Sequence, residues 1–250
     1  MTNYSYSRIS TFDTCPYKYK LQYIDNIKAD IPTTVEAFMG NIVHATLQML
    51  YKDKQLGIEQ TKQSLIKYYE CLWKRNFTKD ILITKEKSED EYKKIGEKYI
   101  LDYYNRMYPF NQLTIIDLET QEKLKLDKEN NWYIRIDKFA KDKNNNYYIC
   151  DYKTNANMKT QKEVDEDEQL AMYSIWVKDK FKNCKSIKLV WHMLAFNKDL
   201  ISERTNEQLE KLKTKILNKI KTIELTKTFE KKTGKLCNYC IYKNICQKSQ

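Results

Sequence analysis

Residues 147–154 read YYICDYKT, aromatic and apolar residues running into an acid, a ring and a base. Tyrosine, isoleucine and a small thiol in a short run bounded by turn formers predict a β-strand. Alternation along that strand sends Tyr147, Ile149, Asp151 and Lys153 to one face and Tyr148, Cys150 and Tyr152 to the other. A carboxylate and an ammonium then project side by side. In a chain with 32% charged residues such a pair is commonly a surface ion pair that contributes little. A second acid raises the reading above that. Asp137 lies in WYIRIDKF (132–139), separated from the first stretch only by the turn-rich AKDKNN (140–145). One hairpin therefore carries both carboxylates. Two carboxylates at strand ends suit a hard divalent cation such as Mg2+ or Mn2+, which prefers oxygen ligands. A lysine beside that ion orients a water or stabilises the charge that builds on a phosphoryl oxygen.

Outward from the hairpin, the periodicities place the other elements. LTIIDLETQEKLKL (113–126) is a further strand of the same antiparallel set. Before it the spacing is helical: AFMGNIVHATLQML (37–50) carries Phe38, Ile42, Ala45 and Met49 on one stripe, and 58–76 and 89–108 have compatible patterns. After it come a helix over about 165–180, a strand SIKLVWHMLAF (186–196) and a long charged helix over about 203–224. The acidic run EVDEDEQ (163–169) reads as a solvated helix start, favourable to the helix dipole. Four glycines and three prolines leave few breakers and no evident linker. The chain is read as one α/β domain over 1–250: an N-terminal segment 1–35, a helical block 36–110, a core 111–200, and a C-terminal helix with a cysteine cluster 201–250.

Lysine and arginine total 45 against 34 acids, a formal charge of +11, with 13% aromatic residues. This balance suits a polyanion such as nucleic acid. No apolar run reaches membrane-spanning length, and the start MTNYSYSRIS lacks a signal-peptide core, so a soluble cytoplasmic protein is expected. The absence of G-x-x-x-x-G-K-[ST] means that any coupled unwinding needs another protein. Seven cysteines make an odd disulfide framework, and in a reducing compartment clustered thiols point to metal. Cys237, Cys240 and Cys246 cluster in the tail, yet tetrahedral thiolate sites for zinc or an iron-sulfur cluster want four ligands. Cys71, Cys150 and Cys184 sit in periodic segments and read as small apolar residues.

The order of these motifs resembles the PD-(D/E)xK nuclease superfamily, and within it the RecB-like group that includes CRISPR-associated adaptation nucleases and nuclease domains of recombination helicases. The family's G-x-x-x-H motif on a helix is matched by Gly40 to His44, its aspartate after an apolar residue by Ile136-Asp137, and D-x-K by Asp151-Tyr152-Lys153 followed by Thr154. Its Q-x-x-x-Y motif is matched by Gln169 and Tyr173 in QLAMY. The resemblance implies a mixed central sheet flanked by helices. It also implies His44, Asp137, Asp151 and the main-chain carbonyl of Tyr152 as metal ligands, and Lys153, Asp151, Asp137, Gln169 and Tyr173 as the catalytic set. Members with an iron-sulfur cluster take one cysteine from before the core and three from after it. Cys15, in STFDTCPYKYKLQYID (10–25), is the fourth ligand so implied, for a 4Fe-4S cluster joining the chain ends, with zinc as the alternative.

The function so implied is Mg2+- or Mn2+-dependent hydrolysis of DNA phosphodiesters, as an exonuclease on single-stranded DNA or DNA ends. The alternative is a DNA-end-binding subunit of a recombination, repair or CRISPR adaptation assembly, partnered by a helicase or integrase. Three secondary expectations accompany this reading. Glu119 is expected to face solvent, a supporting carboxylate at most. Tyr17, Lys18, Tyr19 and Lys20 are expected to line a strand path or pack round the cluster. Ile134, where the family often has glycine two residues before its first aspartate, is expected to narrow the approach of nucleic acid.

Overall fold

In the computed structural model, which describes residues 1–84 and 87–248, the chain opens with a short strand, β1 (Thr2–Tyr4). Helices α1 (Tyr6–Thr14) and α2 (Pro16–Tyr19) follow, the latter running into a π-helical turn at Lys20–Ile24. The helical block is α3 (Val35–Gln55), α4 (Lys62–Asn76) and α5 (Glu89–Met107), each begun by a Thr or Ser whose hydroxyl accepts a first-turn N–H. A meander β2 (Thr114–Lys125), β3 (Asn130–Lys141) and β4 (Asn146–Lys153) comes next. Short α6 (Gln161–Asp165) and α7 (Glu168–Lys180) lead to β5 (Ser186–Met193) and β6 (Lys198–Ser202), and α8 (Asn206–Leu225) and α9 (Lys243–Lys248) close the chain.

Six strands form one mixed sheet. β2, β3 and β4 are antiparallel, β5 lies parallel to β4 after the α6–α7 crossover, and β6 returns antiparallel to β5. The crossover is what a parallel neighbour requires. One apolar layer on the sheet gathers Trp132, Ile149, Leu170, Trp191 and Ile216 under α7 and α8. The other gathers Val43, Leu47, Tyr69, Tyr103 and Tyr152 under α3, α4 and α5. The alternation expected of β4 holds: Tyr147 and Ile149 belong to the first layer and Tyr152 to the second.

Several boundaries differ from the periodicity. The helix expected over 165–180 is two helices, because the Asp167 carboxylate caps α7 by accepting from the Gln169 and Leu170 N–H groups. Asp167 is therefore a buried cap paired with Lys159 at 2.8 Å, not part of a solvated start. The strand expected over 186–196 ends at Met193, where a 3₁₀ turn reverses the chain through Asn197, at positive φ, into β6. Both β1 and β6 are too short to announce themselves by alternation. Cys150 and Cys184 pack as expected, whereas Cys71 is exposed.

The feature that makes room for a site is on β3. Its one edge pairs with β2 along Asn131–Lys141. Its other edge carries β1 only at Asn130–Trp132 and β4 only at Lys138–Lys141, so residues 133–137 have no strand beside them there. The gap opens between the chain that leaves β1 and the end of β4.

Candidate active site

The gap in the sheet is the floor of a cleft of about 640 Å³ lined by Asp137, Asp151, His44, Gln169 and Tyr173. Asp137 sits one residue beyond the last β3–β4 pair, Lys138 with Cys150, so the register brings Asp137 and Asp151 to the point where the two strands separate. The Tyr152 N–H donates to Asp137 Oδ2 at 2.8 Å across that fork. Both carboxylates are more than nine-tenths buried at residue level, Asp137 9% exposed and Asp151 8%.

His44 reaches the same point from α3. Its Nδ1 is 3.3 Å from Asp137 Oδ2 and its Nε2 is 2.8 Å from the Tyr152 carbonyl oxygen. Gly40, one turn earlier, lets α3 approach that closely: a Cβ there would stand 2.9 Å from Thr154 Oγ1, directly after Lys153. On the far side, Lys153 Nζ is 2.7 Å from Asp151 Oδ2 and bonds Gln169 Oε1 at 3.4 Å. Gln169 in turn bonds the Tyr173 hydroxyl, which also meets the main chain of Arg135 on the open β3 edge.

The electrostatics separate the two acids. Burial works against the charge of Asp137, but His44 and the Tyr152 N–H outweigh it and hold the carboxyl below the ordinary range. Burial and the charge of Asp137 push Asp151 upward against the opposing pull of Lys153. Lys153 loses hydration on burial, yet Asp151 and Asp137 raise its pKa, so it carries its proton at neutral pH. For His44 burial opposes protonation, while Asp137, Asp151 and Glu119 favour it and prevail. An environment that raises the affinity of an imidazole for a proton also suits a divalent cation in the proton's place.

Glu119 is the residue that strand patterning misplaced. It does not face solvent: its side chain is 16% exposed. Leu118 pairs with Lys138 and Thr120 with Ile136, which sets Glu119 opposite Asp137 across the hairpin. One of its oxygens, an imidazole nitrogen of His44 and an Asp137 oxygen lie within 4.8 Å of one another. A non-glycine residue at φ 53° inside a strand is strained by about 1–3 kcal/mol, and such strain collects at functional sites. Arg135 Nε and Nη2 both bond one of its oxygens, Oε2, leaving the other for a further partner. Counting back from the Leu126–Asn130 pair that closes the β2–β3 turn sets Glu119 against Asp137, and sequence alone does not fix that closing pair.

The remaining expectations divide. Ile134 is wholly buried in the layer under α7 and α8, so it cannot narrow the approach to the cleft. Tyr19 is buried against Phe12, Tyr23 and Phe229, Lys20 pairs with Asp25, and Tyr17 lies under Lys231; of that segment only Lys18 reaches the cleft. None of the seven cysteines is in a disulfide, and Cys15, Cys237, Cys240 and Cys246 lie towards the chain ends. Burial pushes the Cys246 thiol up, and Cys240, Cys15 and Cys237 are near enough to push it further. Main-chain bonds join the same regions, Tyr17 N–H to the Glu230 carbonyl and Ile31 N–H to the Ile241 carbonyl.

The oxygen-rich donor set fits a hard divalent cation, with Asp137, Asp151, Glu119 and the Tyr152 carbonyl offering oxygen and His44 one nitrogen. Among the described residues no helix is long and apolar enough to cross a membrane. A search of curated proteins finds no significant match. A family model does match, that of the PD-(D/E)XK nuclease superfamily, over residues 3–247. With the match covering nearly the whole chain, the protein belongs to this superfamily of metal-dependent, phosphodiester-hydrolysing nucleases.

Proposed function

We propose that the protein is a DNA exonuclease of the RecB-like type that acts on single strands or on DNA ends with Mg2+ or Mn2+. The observation that carries this reading is the convergence of His44, Asp137, Asp151 and Lys153, from three separate elements, on one cleft. His44, Asp137, Asp151 and the Tyr152 carbonyl would hold the cation, with Glu119 beside them. A bound divalent ion supplies Lewis-acid activation of water and neutralises charge on the phosphoryl oxygens. Asp137 fixes the main chain of Tyr152 through its accepted hydrogen bond, which aims that carbonyl into the site. Lys153 keeps its proton and places a positive charge where the phosphorane oxygens develop theirs. Gln169 orients the Lys153 ammonium, and Tyr173 holds Gln169.

The same reading keeps a 4Fe-4S cluster on Cys15, Cys237, Cys240 and Cys246 as a clamp on the chain ends, from the spacing of these cysteines in the sequence, with zinc as the other metal four thiolates accept. Closing a loop of more than 200 residues would remove much entropy from the unfolded chain. The same reading keeps one domain over 1–250 in a cytoplasmic setting, since thiols clustered for a metal suit a reducing compartment. Association with a helicase or integrase in recombination, repair or CRISPR adaptation follows from the RecB-like reading alone. A second reading, a DNA-end-binding subunit, keeps the same site but does not turn over. End-labelled single- and double-stranded DNA incubated with Mn2+ separates the two. Degradation by the wild type that is lost in Asp151→Ala and Lys153→Ala supports the exonuclease. Binding without degradation by all three proteins supports the subunit. Absorbance in the visible, absent from Cys15→Ala, tests the cluster.

A further inference from the structure

The mouth of the cleft is walled by α1, and the composition of that wall is unusual for a surface meeting nucleic acid. Ser7, Ser10, Thr11 and Thr14 recur at positions i, i+3, i+4 and i+7 and all line the cleft, with Lys18 joining them from α2, beyond the break at Cys15. The opposite face of the helix is committed elsewhere. Ile9 is buried, Phe12 packs edge-on to Tyr19 and Phe229, and Asp13 pairs with Lys219. Arg8 also turns away from the cleft, bonding the Asn3 carbonyl and the Tyr19 hydroxyl. The helix thus shows the cleft hydroxyls and no charge.

Those hydroxyls differ in what they have left to give. The Thr11 hydroxyl donates to the Ser7 carbonyl, and Ser7 meets Ser5. Ser10, Thr14 and the Lys18 ammonium make no hydrogen bond or ion pair among the described residues, and they are the donors available to a ligand. Successive helical turns are about 5.4 Å apart, comparable with the spacing of phosphates along an extended single strand. A cleft of about 640 Å³ falls in the small-molecule range of roughly 300–1,000 Å³, enough for a short stretch of one strand. A nuclease substrate has to reach Asp137 and Asp151, and this cleft leads there.

We infer that Ser10, Thr14 and Lys18 form a backbone-binding subsite that takes the phosphates of a single strand next to the bond being cleaved. This inference rests on the cleft floor being the cleavage centre. Two of its three contacts are neutral hydrogen bonds, which release no counterions. The strand is therefore held in register over the carboxylates without a strongly salt-dependent grip, as a strand that advances one nucleotide at a time requires.

The test uses the full chain and a fluorescein-labelled oligothymidylate, first in EDTA so that binding is read without cleavage. Ser10→Ala combined with Thr14→Val is expected to weaken binding about tenfold while leaving the slope of log affinity against log salt unchanged. Lys18→Gln is expected to weaken binding and lower that slope by about one. Ser10→Thr combined with Thr14→Ser, which keeps both hydroxyls, restores affinity. With Mn2+ present, the loss in the Ala/Val variant appears in KM, and its preference for the oligonucleotide over bis(p-nitrophenyl) phosphate, a single diester, falls about tenfold. Unchanged affinity in the Ala/Val variant, a loss confined to kcat, or no oligonucleotide binding by the wild type overturns the subsite. Failure of cleavage with the binding pattern intact counts against the exonuclease reading and not against the subsite.

Discussion

Lys138 follows Asp137 on β3 and turns to the opposite face, where it is 2% exposed beneath α3 and α5. Its ammonium donates to the Tyr51 hydroxyl at 3.1 Å and to the Tyr103 hydroxyl at 3.0 Å, and it stands 4.5 Å from the centre of the Tyr51 ring. No carboxylate pairs with it among the described residues. Burial opposes its charge, and the two phenols offset this and hold its pKa above the ordinary lysine range. Tyr103→Phe removes one hydrogen bond from a buried cation, a loss of about 1.5–3 kcal/mol. For a chain of this size that lowers Tm by roughly 3–12 °C. Lys138→Met removes the charge with little change of volume, and Tm should hold within a few degrees or rise. In the Lys138→Met background the phenols bond one another, and Tyr103→Phe should cost only about 1 kcal/mol. Urea unfolding of the four proteins reads the coupling directly. Additivity within about 0.5 kcal/mol would mean that the phenols do not stabilise the ammonium, and the reasoning fails.

Gly40→Ala should cut nuclease activity by tenfold to a hundredfold through displacement of Thr154 and Lys153, and Thr154→Ala should recover most of it; an equally inactive double variant refutes the close-approach argument. Glu119→Gln should weaken Mn2+ binding, measured by calorimetry, by about tenfold to a hundredfold, and unchanged affinity would exclude Glu119 from the ion's surroundings. His192 is buried and neutral, donating from Nδ1 to Asp199 at 2.6 Å, and burial lowers its pKa from 6.5 to about 4. The unfolded chain therefore takes up a proton below 6.5 that the folded chain refuses until about 4, and stability should fall across that window by about 3 kcal/mol. Asp199, held at about 2, extends the loss at still lower pH as its ion pair with Arg106 is protonated away. A flat Tm between pH 6.5 and 4, or the same slope in His192→Asn, would refute the assignment.

The acid pair and lysine were legible because they sit on regular elements. Period-two alternation put Asp151 and Lys153 on one face of β4, and a short turn put Asp137 within reach of them. His44 was legible only through the motif it belongs to, since a single histidine on a helix does not state what it faces. Glu119 was misread because its strand alternates polar with apolar residues, as a solvated edge does, and the bend at its positive φ is invisible in that pattern. Ile134 was misread for the converse reason: a side chain near Asp137 points into the core when its strand neighbour points out. The tyrosines of the N-terminal segment look like stacking platforms in composition, but the turn from α2 into the π-helical segment buries Tyr19.

Local patterning determined which residues are helical or extended and which faces carry charge, since those follow from covalent spacing. Where the strands part is another matter. The unpaired stretch of β3 exists because β1, from the far end of the chain, stops after three residues and β4 diverges after Cys150, opposite Lys138. Only the assembled sheet decides that gap, and so only it decides that α1 with its hydroxyls, joined by Lys18 but not by the tyrosines of the run after it, walls the way to the acids. Contacts between residues more than a hundred positions apart, such as His44 with Tyr152, depend on how two buried layers pack against one sheet, and no local periodicity encodes that.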